Sequence, residues 1–192
     1  MFVSEKHKAV FIHIPKTGGT VLRNLFPDMM KHGYRHDTAH DIPKEYKDYF
    51  RFTIVRHPIE RLASLYRFQF IKTLDWPKER FQKRYNCLRD QSHLQSINEF
   101  LKFDQPFKLL QCDYIDKETK VFKYEKLNEA VAYLSGKFNL ETTPTKGTET
   151  NYLGDYNISA WMNENAMAWI NEHCAEDFKK FEYKIGSIPE TS

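Results

Sequence analysis

The sequence predicts an α/β fold in which a parallel central sheet is flanked by helices. Two short apolar runs, "AVFIHI" (9–14) and "YFRFTIVR" (49–56), are each followed by a loop and then by apolar residues at helical spacing. Parallel strands need a crossover connection, and such strand–loop–helix units supply one. A chain of 192 residues with 41% hydrophobic residues is long enough to bury a packed core. We therefore expect a single domain over residues 1–192.

The first unit begins with a run that is rich in β-branched and aromatic residues, which is typical of a strand covered on both faces. A turn with one lysine and two adjacent glycines follows it. The apolar residues that then fall at helical spacing are Val21, Leu22, Leu25, Phe26 and Met29.

The second unit places Pro58 directly after its strand, and proline is favoured in the first turn of a helix. The helical stripe behind it consists of Ile59, Leu62, Ala63, Tyr66 and Phe70.

The rest of the chain predicts three further helices and one further strand. Ser96 with Glu99 three residues on is a capping-box signature for a helix start. The run "TKVFKY" predicts a strand, and apolar spacing predicts a helix after it, from Leu127 to Phe138. A last helix is predicted from about Ile158 to Phe181.

Charge and hydropathy argue against a nucleic-acid-binding protein and against a transmembrane helix. A formal net charge of +3 is too small to favour nucleic acid as a partner. Residues 72–89 hold six basic and two acidic residues, which fits a solvated helix face or a docking surface for an anionic acceptor. No apolar stretch approaches the length of a transmembrane helix.

The three cysteines are Cys87, Cys112 and Cys174, and their spacing fits neither a disulfide framework nor a metal site. Reduced thiols are therefore expected, and with them a cytoplasmic, soluble protein.

The segment "HIPKTGGT" (13–20) has the composition of an anion cradle. Gly18 and Gly19 let the backbone approach a ligand closely, and a following helix N-terminus favours negative charge. Lys16 adds a positive charge at the mouth. A Walker loop carries its lysine after the glycines, so a nucleoside triphosphatase is disfavoured. The alternative is a turn that merely required glycine.

The segment "TIVRHPIERLASLYRF" (53–68) supplies a second set of anion-binding groups. Arg56 lies where the second predicted strand ends, the edge at which open α/β sheets bind ligands. Arg61 and Ser64, three residues apart on the following helix, offer a guanidinium and a hydroxyl suited to a phosphate. The structural alternatives are a surface ion pair for Arg56 and helix packing for Arg61.

These two segments resemble the 5′-phosphosulfate loop and the 3′-phosphate motif of the carbohydrate-type sulfotransferases, which use 3′-phosphoadenosine 5′-phosphosulfate. Weaker similarity continues through "VFKYEKL" and "AEDFKKFEY". The resemblance implies a P-loop-like sulfotransferase fold, with adenosine 3′,5′-bisphosphate as product and a saccharide or glycan as acceptor.

The resemblance also implies roles for individual residues. Lys16 would reach the oxygen that bridges phosphorus and sulfur. Arg56 and Ser64 would bind the 3′-phosphate. The residues that would hold the 5′-phosphosulfate are Thr17, Gly18, Gly19 and Thr20.

An acceptor hydroxyl must lose a proton, and histidine is the natural base near neutral pH. In similar sulfotransferases a histidine shortly before the second strand acts as base, which favours His40 here, with His36 as the alternative. His13 is expected to belong to the first strand.

The sequence departs from the family in "TKGTETNY", where relatives carry an asparagine and a hydroxyl residue before a tyrosine. Lys146 or Thr148 of the 142–150 loop would be the groups able to close over the nucleotide. Two other functions remain open, namely a P-loop-like nucleotide kinase and a catalytically idle nucleotide- or glycan-binding module. The sequence leaves the acceptor and the oligomeric state open.

Overall fold

The computed structural model describes residues 1–70, 97–101, 109–141 and 162–186. Several predictions fall outside these residues, namely those for the basic segment 72–89 with Cys87, for Ser96 as a helix cap and for the 142–150 loop.

The described residues form five strands and six α-helices. The strands are β1 (Phe2–Ser4), β2 (Ala9–Ile12), β3 (Met30–Lys31), β4 (Phe50–Val55) and β5 (Lys120–Lys123). The helices are α1 (Gly19–Asn24), α2 (Pro58–Phe70), α3 (Ile97–Leu101), α4 (Leu127–Phe138), α5 (Glu164–His173) and α6 (Ala175–Lys180). None of these helices is long and apolar enough to cross a bilayer.

The chain divides into two compact units. The first comprises Met1–Arg56 and Leu110–Asp155, and the second comprises His57–Leu109 and Tyr156–Ser192. The single domain over residues 1–192 stays a prediction, and the two units are described separately.

The first unit is built on a mixed five-stranded sheet with the strand order β3-β1-β2-β4-β5. β2, β4 and β5 are parallel, which confirms the predicted α/β fold and the parallel arrangement of these strands. β1 and β3 add an antiparallel edge that was not predicted. Only residues 5–8 connect β1 to β2. A connection this short can join antiparallel strands but not parallel ones, which need a longer crossover.

The register of the parallel strands brings their carboxyl ends together. Ile12 lies opposite Thr53, and Val55 lies opposite Lys123. The segments that follow β2, β4 and β5 therefore all leave the sheet at the carboxyl ends of the parallel strands.

The core of this unit lies between the sheet and two helices. β2 is buried along its whole length, as predicted for a strand covered on both faces. Phe11, Phe52 and Ile54 point to one face and are less than 1% exposed. The helical residues in the same cluster are Leu22, Leu25 and Phe26 from α1 and its C-terminal end, and Ala130 and Leu134 from α4.

The second unit is helical in its described part. Pro58 is the first residue of α2, as predicted. The single helix predicted from about Ile158 to Phe181 is wrong in its described portion. α5 begins only after Asn163, whose side chain accepts a hydrogen bond from the Ala166 N–H at 2.9 Å. Cys174, with φ −110° and ψ 18°, separates α5 from α6.

Arg61 is a packing residue of this second unit. It is 1% exposed, and its guanidinium donates to the Leu109 carbonyl oxygen. Burial, and then the negative charge of Asp177, raises the pKa of the Cys174 thiol to about 12. The positive charge of Arg61 acts in the opposite direction. Cys174 is a free thiol.

Candidate active site

The segment 14–18 after β2 is a tight turn closed by its own side chain. Lys16 and Gly18 have left-handed backbone angles, with φ 68° and 79°. The Thr17 hydroxyl is buried and donates to the Ile14 carbonyl oxygen at 3.0 Å. Because that hydroxyl proton is used inside the turn, Thr17 can offer an anion its backbone N–H but not its hydroxyl hydrogen in this conformation.

Neither glycine of the turn has room for a side chain. A Cβ on Gly18 would lie 2.6 Å from the ring of Tyr124. A Cβ on Gly19 would lie 2.4 Å from the ring of His13 and 2.8 Å from Phe11. The close approach that the structure shows at these glycines is therefore an approach to aromatic rings of the same unit.

Arg56 is held at both its backbone and its side chain. Its N–H donates to the side-chain oxygen of Gln111 at 2.9 Å, and the Gln111 amide nitrogen donates back to the Arg56 carbonyl at 2.8 Å. Gln111 is completely buried. The guanidinium carbon of Arg56 lies 4.4 Å from the centroid of the Tyr124 ring, a cation–π contact.

Tyr124 therefore connects the two predicted anion sites. It directly follows β5, and its ring contacts both Gly18 and the Arg56 guanidinium. Neither Tyr124 nor Gln111 was singled out from the sequence. The strand-end argument that found Arg56 applies equally to Tyr124, whereas Gln111 carries no comparable signal.

His13 is the first residue after β2 and lies in a cluster of aromatic rings. Its ring meets Phe11 at 5.6 Å and is stacked on His36 at 4.9 Å, with 25° between the planes. Burial, and then the positive charge of His36, Arg35 and Arg23, lowers the pKa of His13 to about 3. His13 is therefore neutral at every pH at which the protein is expected to work.

His36 is fixed against the same strand end. Its Nδ1 lies 3.0 Å from the His13 carbonyl oxygen. A carbonyl only accepts, so Nδ1 carries a hydrogen, and a neutral His36 keeps its lone pair on Nε2. That is the tautomer a general base needs if Nε2 faces the acceptor.

His40 lies in a different environment. It is exposed and belongs to a single 3-10 turn, Ala39–Asp41, that Thr38 caps. Thr38 and Asp41 form a capping box around this turn. The structure brings His36, and not His40, into contact with the residue that begins the cradle turn.

The remaining predicted residues are distributed over both units. Lys16 is half-buried and Thr20 is exposed in the first turn of α1. Ser64 is half-buried on α2, in the second unit. The assignments of these residues as donor ligands stay predictions.

Comparison with known proteins identifies the family. A family model described as the sulfotransferase family matches residues 1–184. The chain belongs to the sulfotransferase family, which confirms the resemblance found in its two motifs.

The curated relatives are carbohydrate sulfotransferases. Carbohydrate sulfotransferase 10 of Xenopus laevis is 32% identical over 92 residues, covering 37% of this chain and 26% of that protein. The proteins of the same name from Pongo abelii and Homo sapiens are 35% and 33% identical over 92 residues, with the same coverage. The match therefore spans about a quarter of the length of these relatives. No solved structure matches the chain.

Proposed function

We propose that this protein transfers a sulfuryl group from 3′-phosphoadenosine 5′-phosphosulfate to a hydroxyl of a saccharide or glycan. The family match and the names of the relatives support the reaction and the acceptor class. The observation that carries the proposal is the contact of one ring, that of Tyr124, with both Gly18 and Arg56. It joins a lysine-bearing cradle and an arginine into one surface suited to a ligand with two anionic ends.

The residues of the first unit fit such a donor. No side chain fits at Gly18 or Gly19 of the turn, and its lysine, Lys16, supplies positive charge. Gln111 fixes the backbone of Arg56, and the Arg56 guanidinium, which packs on the Tyr124 ring, suits a phosphate. In this proposal the cradle residues 16–20 hold the 5′-phosphosulfate, while Arg56 and Ser64 hold the 3′-phosphate.

The donor supplies a sulfuryl group on a phosphate leaving group. The acceptor oxygen forms a bond to sulfur as the bond from sulfur to the bridging oxygen breaks, and the acceptor proton passes to a base. Negative charge grows on the bridging oxygen, and the Lys16 ammonium stabilises it electrostatically.

The base in this proposal is His36, the alternative that the sequence left open. Its Nδ1–H bond to the His13 carbonyl fixes the ring and sets the tautomer with the lone pair on Nε2. His40 stays the competing assignment, and its exposed ring on the turn Ala39–Asp41 provides no comparable orientation.

We also propose a reducing, cytoplasmic location, which the free thiol Cys174 supports.

A turnover assay tests the proposal. The full chain is incubated with donor carrying labelled sulfur and with glycans, small phenols or peptides, and label transfer is counted. Label on saccharides supports the acceptor class, and label on phenols alone contradicts it. Nucleotide binding without transfer to any acceptor would favour the idle binding module, and a preference for adenosine triphosphate with magnesium would favour the kinase.

Two matched variants decide between the histidines. His36→Ala is expected to lower kcat by about 10²-fold or more while binding of adenosine 3′,5′-bisphosphate stays nearly intact. His40→Ala removes the same side-chain type from the same segment and should lose far less. The reverse result would place the base at His40, and near-normal activity in both variants would exclude either histidine.

A further inference from the structure

The imidazole of His13 lies between the cradle turn and the proposed base. Its Cδ2–Nε2 edge faces Gly19, since a Cβ on that glycine would lie 2.4 Å from Cδ2 and 2.9 Å from Nε2. The face of the same ring is stacked on His36, with 4.9 Å between the centroids and 25° between the planes. One ring therefore contacts both the segment proposed to hold the phosphosulfate and the histidine proposed to take the acceptor proton.

The surroundings of the two ring nitrogens indicate which of them carries the hydrogen. Nδ1 of His13 is buried and has no hydrogen-bond partner among the described residues. A neutral imidazole has one N–H, and buried N–H groups without an acceptor are rarer in folded proteins than buried acceptors without a donor. A hydrogen on Nε2 leaves only a lone pair enclosed at Nδ1. Burial is the main cause that lowers the pKa of His13 to about 3, so the ring stays neutral.

Packing alone does not account for an imidazole at this position. The enclosed Nδ1 loses its hydrogen bond to water on folding and gains none from the described residues, a loss that a phenyl ring would avoid. The neighbouring rings include Phe11 and Phe2, whose centroids lie 5.6 Å and 5.9 Å from that of His13. A polar ring kept among apolar ones at a loss of stability indicates a use for its other nitrogen, Nε2, which lies beside the cradle.

We propose that His13 is a further catalytic residue, which donates a hydrogen bond from Nε2 to a nonbridging oxygen of the sulfuryl group during transfer. This inference rests on the proposed function. In that reaction sulfur lies between the bridging oxygen, on the cradle side, and the acceptor oxygen, on the side of the base. His13 is the ring that lies between the same two segments.

The proposed hydrogen bond needs no proton transfer by His13. A neutral donor that is already fixed before the reaction stabilises charge on the sulfuryl oxygens with little reorganisation. His13 neither takes up nor releases a proton in this step. Lys16 and His36 therefore keep the roles proposed above, at the leaving oxygen and at the acceptor hydroxyl.

Two nucleotides that differ only in the sulfuryl group test the contact. Calorimetry without acceptor gives Kd for 3′-phosphoadenosine 5′-phosphosulfate and for adenosine 3′,5′-bisphosphate with the wild type, His13→Phe and His13→Gln. Phenylalanine keeps a ring but has no donor, whereas the glutamine amide carries an N–H near the place of Nε2. His13→Phe should weaken binding of the sulfated nucleotide about threefold to tenfold more than binding of the bisphosphate, and His13→Gln should restore part of that difference. Equal effects on the two nucleotides would overturn the proposal.

Turnover shows whether the contact acts in the transition state. His13→Phe should lower kcat by about 10²-fold, as expected for the loss of one fixed donor, and His13→Gln should recover part of that loss. His32→Phe is the control, because it replaces another half-buried imidazole of the same unit, which packs on Tyr46, and it should leave kcat nearly unchanged. The same kcat in His13→Phe and His32→Phe would overturn the catalytic role.

Nitrogen-15 NMR of the imidazole and the calorimetry separate this inference from the proposed function. The His13 signals, assigned by their loss in His13→Phe, should show a hydrogen on Nε2 in the free protein, and a hydrogen on Nδ1 would overturn the proposal. If no acceptor is sulfated but the calorimetric difference is found, the proposed reaction fails and the contact with the sulfuryl group stands. If the wild type and His13→Phe sulfate an acceptor equally well, the reaction stands and this inference fails.

Discussion

Lowering the pH from 7 to 5 is expected to destabilise the protein through the imidazole of His13. Burial, reinforced by neighbouring positive charge, lowers the pKa of His13 from 6.5 to about 3. In the unfolded chain His13 takes up a proton as the pH falls through 6.5, whereas in the folded protein it stays neutral until about pH 3. The unfolded state therefore binds more protons between these values, and stability is lost as the pH falls through this window.

The size of the effect follows from the width of the window. Each pH unit inside it changes the free energy of unfolding by about 1.4 kcal/mol per group. A fall from pH 7 to pH 5 enters the window by about 1.5 units, so His13 should contribute a loss of about 2 kcal/mol. For a chain of this size, that corresponds to a fall of about 4–8 °C in Tm.

The test compares urea unfolding of the wild type and His13→Phe at pH 7, 6 and 5. Phenylalanine keeps an aromatic ring beside His36 and Phe11 but cannot take up a proton. The lowered pKa values of the Asp28 and Asp116 carboxyls are common to both proteins and cancel in the comparison. His40→Gln, which removes an exposed ring, serves as the control and should follow the wild type. Parallel pH dependences of the wild type and His13→Phe would refute the reasoning.

Three further predictions concern the donor site. Tyr124→Phe should keep affinity for adenosine 3′,5′-bisphosphate within about twofold, whereas Tyr124→Leu should weaken it by about tenfold, because the ring and not the hydroxyl contacts Gly18 and Arg56. Calorimetry decides this, and equal losses would contradict it. Lys16→Ala should lower kcat more than it weakens product binding, since charge on the bridging oxygen grows in the transition state. Lys44→Ala is the control, and a raised KM with unchanged kcat would make Lys16 a binding residue only. Adenosine 3′,5′-bisphosphate should raise Tm more than adenosine 5′-monophosphate at equal concentration, because it offers a second phosphate to Arg56 and Ser64. Equal shifts in Tm from the two nucleotides would contradict the assignment of Arg56 and Ser64 to the 3′-phosphate.

The sequence was informative wherever local patterning decides structure. The two short apolar runs contain β2 and β4, and Pro58 is the first residue of α2. β1 and β3 escaped prediction because strands of three and two residues are too short to establish an alternating pattern. The break at Cys174 escaped because the apolar spacing runs on across it, so periodicity alone does not register the non-helical angles of one residue.

The reach of local sequence patterns also explains which candidate site residues the sequence indicated. Arg56 directly follows β4, and Lys16 and the glycines lie between the end of β2 and the start of α1. The carboxyl ends of parallel strands are where such a fold binds ligands. Gln111 fixes Arg56 across 55 positions of sequence, and no local pattern encodes that pairing. The resemblance favoured His40 over His36 as the base, and weighing the two further needs the path of the backbone, because they lie only four residues apart in sequence.

The position of His36 has a consequence for how donor and base are aligned. Its imidazole is held by the carbonyl of His13, and the ring of His13 packs over Gly19 of the cradle. The cradle and the proposed base are thus attached to the end of one strand, β2. Arg56 directly follows the neighbouring strand, β4, and its guanidinium contacts the Tyr124 ring, which also contacts Gly18 of the cradle. In the proposed reaction, the sheet and not the saccharide would therefore set the spacing between the leaving group and the base. The saccharide would then only have to place its hydroxyl between the donor and the base, whose relative position is already fixed. Such positioning lowers the activation barrier of the transfer.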